Sequence, residues 1–130
     1  MTDVATAPTV LLVDDQPEVL RTLARYLEVK GFKVEIATSA SDAVPALETQ
    51  KVDAVVLDLR MPGESGLELL ARMREHEQWR HVPAVILTGA ALTKEEQATI
   101  ARLQAYVFRK PKSYEALTTY LERALKPARG

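Results

Sequence analysis

Four short apolar runs along the chain each stop at a polar residue. Val10-Leu11-Leu12-Val13 runs into Asp14-Asp15, and Ala54-Val55-Val56-Leu57 into Asp58. Ala84-Val85-Ile86-Leu87 runs into Thr88, and Tyr106-Val107-Phe108 into Arg109-Lys110-Pro111. Runs this short, rich in Val and Leu and separated by segments of helical period, read as buried parallel strands. They are expected over 9–14, 53–58, 83–88 and 105–109. A fifth strand, Lys33 to Ala37, alternates only weakly, as an edge strand does.

Helices fill the gaps. Over 16–30, Val19, Leu20, Leu23, Tyr26 and Leu27 form a stripe at spacings of three and four, and Gly31 is a natural stop. The next helix, 41–49, contains Pro45, which costs one backbone hydrogen bond unless it lies in the first turn. After a turn-rich Met61–Ser65 loop, a helix from Gly66 presents Leu67, Leu70 and Met73. Thr93 and Glu96 make a capping box that opens a fourth helix running to about 103. Ser113 begins the last, with Tyr114, Leu117, Leu121 and Leu125 in register. Five strands alternating with five helices imply an α/β fold, a doubly wound five-stranded parallel sheet covered on both faces. The simplest order is 2-1-3-4-5, the flavodoxin-like topology, which reverses between strands one and three. Ligands of such sheets bind beyond the carboxyl ends of the strands, where all four polar stops emerge.

Composition narrows the function classes. With 130 residues, 47% hydrophobic and 27% charged, the chain is expected to form one domain over 9–126, with a flexible leader at 1–8 and a tail at 127–130. A net charge of −1, with no Lys/Arg run, argues against nucleic-acid binding by this domain. No cysteine is present, so disulfides and thiolate zinc sites are excluded. Apolar runs of four or five residues are far below the roughly 20 needed to span a bilayer, and no secretory signal is evident. A cytoplasmic protein is expected.

The residues at the sheet edge suggest phosphoryl chemistry on a metal ion. Asp15 alone reads as a helix cap, since Asp15-x-x-Glu18 is itself a capping-box pattern with Pro17 placed for the first turn. That does not explain Asp14, a second carboxylate at the end of a buried strand, which is costly without a cation. Asp14, Asp15 and Asp58 together would repel unless neutralised. Mg²⁺ suits them best, because it takes one or two carboxylates, keeps waters and bridges to phosphate oxygens. Thr88 alone reads as a β-branched strand residue and Lys110 as a solvated strand-end lysine. Pro111, however, restricts the Lys110 backbone, and a lysine fixed over a carboxylate cluster can meet a phosphoryl oxygen as a point charge.

In this combination the chain resembles the receiver domain of bacterial two-component response regulators, from residue 9 to about 125. The matching residues are Asp14-Asp15, Asp58 within Asp58-Leu59-Arg60-Met61-Pro62-Gly63, Gly66, Thr88 and Lys110-Pro111. The resemblance implies that Asp58 accepts a phosphoryl group from a sensor histidine kinase or a histidine phosphotransfer protein. It implies Mg²⁺ held by Asp14, Asp15, Asp58 and the backbone carbonyl of Arg60, with Thr88 and Lys110 engaging the phosphoryl oxygens. The output would be altered protein–protein contact with a downstream target, not turnover of an external substrate.

Two departures from the family pattern and one loop arginine bear on switching. The family usually has an aromatic residue three positions before the lysine; here it is Val107, and strand alternation turns Tyr106 and Phe108 to the opposite face. Either the strand is bulged or the aromatic switch is absent, and absence is the expectation. The fourth helix has no terminal glycine and few large apolar residues (Ala98, Ile100, Ala101 and Leu103), so a remodelled or mobile segment is expected there. Arg60, two residues past Asp58, reads either as a solvent-facing loop residue or as a side chain over the site that sets acyl phosphate lifetime. Ala90, two past Thr88, leaves its side of the site open. His76 and His81 read as surface histidines, and Trp79 as a loop anchor.

Three alternatives bracket this reading. The chain can be the receiver part of a longer transcriptional regulator. An aspartyl-phosphate phosphohydrolase would need an acid/base two residues beyond its nucleophile, where this sequence has Arg60 or Gln16. A flavin-binding module of the same topology is disfavoured by three acids facing the flavin phosphate.

Overall fold

The computed structural model describes residues 7–61, 63–110 and 114–125. The leader at 1–6, Pro62, Pro111 to Ser113 and the tail from Lys126 lie outside them. Strands and helices alternate in the order β1 (Thr9–Val13), α1 (Pro17–Val29), β2 (Lys33–Ala37), α2 (Ala40–Thr49), β3 (Ala54–Asp58), α3 (Gly66–Glu75), β4 (Ala84–Thr88), α4 (Lys94–Arg102), β5 (Ala105–Arg109) and α5 (Tyr114–Leu125). All strand pairings are parallel and the order is β2-β1-β3-β4-β5, as expected from the alternation. No helix among the described residues is long and apolar enough to cross a membrane.

The central strands are apolar without a break because the sheet is buried on both faces. Side-chain alternation divides them between two cores. Leu11, Val13, Val55, Leu57 and Ile86 pack towards α2, α3 and α4. Val10, Leu12, Val56, Val85 and Leu87 pack towards α1 and α5 with Leu23, Leu27, Leu117 and Leu121. Both faces being filled, polar groups gather at the ends of the strands, and Asp14, Asp58, Thr88 and Lys110 all lie at the carboxyl edge.

Local chemistry accounts for the helix ends, and corrects some expectations. Gly31 takes φ +96, and the N–H groups of Gly31 and Phe32 satisfy the carbonyls of Glu28 and Leu27, so α1 ends in a Schellman turn. Pro45 sits in the interior of α2, not its first turn. The carbonyl it leaves without a donor is that of Ser41, which is exposed to solvent. In α3 the buried set is Leu69, Leu70 and Met73, with Leu67 half-buried. Leu67 still packs against the core, while Gly66 at the start of the helix lies against the Asp58 backbone. A Ser65/Glu68 capping box opens α3, and the Thr93/Glu96 box opens α4 as expected.

Only Ile100 is buried within α4, with Leu103 just beyond; Ala98 and Ala101 are exposed. In place of a terminal glycine, Gln104 adopts φ +59 and donates its N–H to the Ala101 carbonyl. Arg74 of α3 secures this corner. Its half-buried guanidinium donates to the carbonyls of Leu103 (2.8 Å), Arg80 (3.2 Å) and Val82 (2.7 Å). Trp79 is buried, as a loop anchor should be, and His76 is half-buried and stacked on it at 3.7 Å, less exposed than expected.

Candidate functional site

Asp14 follows β1, Asp58 ends β3, Thr88 ends β4 and Lys110 follows β5. Asp14, Asp58 and Thr88 are 3%, 7% and 1% exposed, so two carboxyl groups and a hydroxyl are withdrawn from water together. Asp15 is exposed but contributes to the same cluster: one carboxylate oxygen from each of Asp14, Asp15 and Asp58 lies within 4.8 Å of the others. The helix-cap reading of Asp15 does not hold. The N-cap of α1 is Gln16, which makes no side-chain cap bond, while Asp14 Oδ1 accepts the Gln16 N–H at 2.9 Å. Asp15 is thus free to face the cluster.

Lys110 answers these charges. Its Nζ lies 2.8 Å from Asp14 Oδ2 and 3.4 Å from Asp58 Oδ1, and it donates to Gln16 Oε1 at 2.8 Å. Its backbone N–H donates to the Thr88 carbonyl, so β5 delivers the lysine beside the threonine. Burial pushes the Asp58 pKa up, the Asp14 charge adds to it, and Lys110 and the Arg60 backbone N–H only partly offset them. Burial alone would lower the Lys110 pKa, but the hydrogen bond and charge of Asp14, with Asp58, raise it on balance. The lysine therefore stays cationic, while Asp58 remains short of positive charge.

The donor set fits a hard divalent cation. It consists of oxygen atoms from three carboxylates, in surplus over the single nearby ammonium, with neither His nor Cys among them. Gly66 keeps the loop close. A Cβ there would collide with the backbone carbonyl oxygen of Asp58, and the Gly66 N–H donates to the Leu59 carbonyl.

The remaining expected residues fall as follows. Arg60 neither overhangs Asp58 nor points freely into solvent. Its guanidinium makes a two-pronged pair with Glu96 of α4 (2.9 and 3.0 Å) and donates to the Ala91 carbonyl (3.0 Å). Ala90 lies under Thr88, its N–H donating to the Thr88 hydroxyl (3.1 Å), while its carbonyl accepts from Arg109 (2.9 Å). Val107 sits in an unbroken register with Ile86, so β5 carries no bulge. Tyr106 and Phe108 pack instead on Tyr120 of α5, with ring centroids 5.0 and 5.9 Å away. No aromatic side chain of β5 therefore faces α4. Sequence reasoning missed Gln16, Glu96 and Arg109 as site neighbours. The capping-box pattern marked Glu96, but nothing local marks a glutamine whose partner is 94 residues away.

The family model of the response regulator receiver domain matches residues 10–122. The chain belongs to that family. The heme response regulator HssR of Staphylococcus saprophyticus is 34% identical over 119 residues, covering 91% of this chain and 51% of HssR. The alginate biosynthesis transcriptional regulatory protein AlgB of Pseudomonas aeruginosa is 40% identical over 84 residues, 65% of this chain and 19% of AlgB. The receiver thus spans about half of one relative and about a fifth of the other. Among solved structures, the chemotaxis protein CheY4 of Vibrio cholerae superposes with a TM-score of 0.83 at 26% identity, covering 92% of this chain and 100% of CheY4. The chain is a receiver domain of two-component signalling, and receivers of this family bind Mg²⁺ in an acidic pocket and work with histidine kinases and downstream targets.

Proposed function

We propose that this receiver takes a phosphoryl group on Asp58 from a histidine kinase or histidine phosphotransfer protein. The observation that carries this is the convergence of Asp14, Asp15, Asp58, Thr88 and Lys110 on one sheet edge. An Asp58 carboxylate oxygen attacks phosphorus. The O–P bond forms as the P–N bond to the donor histidine breaks, and its electron pair returns to the imidazole. Phosphoryl transfer needs positioning and charge neutralisation more than covalent machinery. Asp14, Asp15, Asp58 and the Arg60 carbonyl would hold Mg²⁺, which would supply part of that neutralisation. Lys110, whose ammonium lies 3.4 Å from Asp58 Oδ1, supplies the rest.

The added group brings roughly −1.5 to −2 charge, and Thr88 turning towards it gives up the Ala90 N–H. Because Arg60 and Arg109 hold the carbonyls of Ala91 and Ala90, that turn strains the β4–α4 connection. The two arginines and Ala90 are the modulators of this step. The output is contact with a protein target in the cytoplasm, with no turnover of an external substrate.

Intact-mass spectrometry after incubation with acetyl phosphate, with and without Mg²⁺, tests the proposal on wild type and Asp58→Asn. One phosphoryl adduct that needs both Mg²⁺ and Asp58 is expected. An adduct retained in Asp58→Asn would overturn the assignment of the nucleophile.

The match to AlgB favours a second reading of the whole protein, as the receiver part of a transcriptional regulator. The native open reading frame decides between the two.

A further inference from the structure

We infer that Gln16 is a positioning residue for Lys110, holding its ammonium so that one proton is left aimed at the phosphoryl group on Asp58. The inference deepens the proposed function and depends on it. The side chain of Gln16 has no helical duty. It stands at the N-cap of α1, where a side-chain oxygen ordinarily caps the helix, yet it makes no such bond. Its backbone is already engaged, the N–H by Asp14 and the carbonyl by Leu20. The amide instead reaches across the site to Lys110, 94 residues away, at 2.8 Å.

An ammonium group has three protons, and Lys110 has three neighbours. Two are close, Asp14 Oδ2 and Gln16 Oε1, both at 2.8 Å; the third, Asp58 Oδ1, is at 3.4 Å. Charge alone would draw Lys110 between its two carboxylates. The neutral Gln16 oxygen holds it to the α1 side, leaving the third proton directed at Asp58 but not tightly bonded there. A phosphoryl oxygen on Asp58 extends outward from that carboxylate and can take this proton without the lysine moving. Preorganised donors of this kind cost no reorganisation when charge arrives. An uncharged acceptor also fits, because a cation bound to Asp14 weakens that carboxylate's hold on Lys110 and leaves Gln16 as the remaining anchor.

The test uses Gln16→Met, which keeps the length of the side chain and removes the acceptor, and Gln16→Glu, which restores an acceptor. Because the cap uses no side-chain bond, neither change removes a helix contact. In metal-free protein with ¹⁵N-labelled lysine, the Lys110 ammonium signal should broaden by faster proton exchange in Gln16→Met and recover in Gln16→Glu. With saturating Mg²⁺, beryllofluoride binding, followed at the Thr88 and Ala90 amides, should weaken about threefold to tenfold in Gln16→Met. Mg²⁺ affinity without beryllofluoride should stay within about twofold. An unchanged Lys110 signal, or beryllofluoride binding that is unchanged or tighter, overturns the inference. So does a loss that merely follows a weaker Mg²⁺ affinity. If wild type binds no beryllofluoride while its Lys110 signal still depends on Gln16, the tether exists but the phosphoacceptor reading fails, and the positioning role fails with it.

Discussion

Asp58 shows why this site needs a counter-charge. Its pKa is raised chiefly by burial and then by Asp14, so the fold favours its protonated form. That contribution to stability is fully present below the unfolded-state pKa and is lost as pH rises through the higher folded-state value. Once pH has risen through that value, the metal-free receiver carries an ionised Asp58 at a cost. Asp58→Asn should raise stability there by roughly 1 kcal/mol, or about 3–6 °C in Tm for a chain of this size. The gap should narrow as pH falls and wild-type Asp58 takes up its proton. Paired calorimetric scans of metal-free protein at pH 7 and pH 4 check this; a gap that widens at low pH would contradict it.

Among the helices, α4 is the least secured by packing, with one buried residue in the helix proper. Polar ties compensate: the Thr93/Glu96 box, the Arg60–Glu96 pair at the start and Arg74 on the Leu103 carbonyl at the end. Segments with few apolar contacts and exposed hydrogen bonds open most readily, so α4 amides should exchange faster than those of α1. Arg60→Ala should speed exchange in the first turn of α4 by about twofold to fivefold and leave α1 unchanged. Gln104 marks the other end. Its positive φ is a left-handed turn that a side chain resists, so Gln104→Gly should stabilise the fold by about 0.5–1 kcal/mol in urea unfolding. A loss of stability would mean that the Gln104 side chain makes a contact worth more than the strain.

Across the whole molecule, the site gathers the carboxyl ends of three central strands and one edge strand, so a ligand bound there should stabilise the domain as a unit. Mg²⁺ at about 100 times its Kd should add about 2.7 kcal/mol, provided that only the folded chain binds it. Asp58→Asn should forfeit much of that gain. A thermal titration with Mg²⁺ on both proteins reads the difference directly, and an equal gain in both would place the cation elsewhere.

The alternation of four Val/Leu runs with amphipathic stretches determined the strand order and the edge at which polar residues meet. Burial on both faces makes a doubly wound sheet the simplest arrangement that hides these strands, and their carboxyl ends deliver the acids to one edge. Capping chemistry made the start of α4 legible, and Gly31 the end of α1. The motif spacing was enough to identify the family and to nominate Asp14, Asp15, Asp58, Thr88 and Lys110. Tertiary structure alone decided that Asp15 does not cap α1, and that Leu69 is more deeply buried in α3 than Leu67. It likewise decided that Arg60 reaches Glu96, Arg109 reaches Ala90 and Gln16 reaches Lys110. Those choices depend on which side chains the turns bring within about 3 Å of each other across tens of residues. No local period or propensity encodes such a distance.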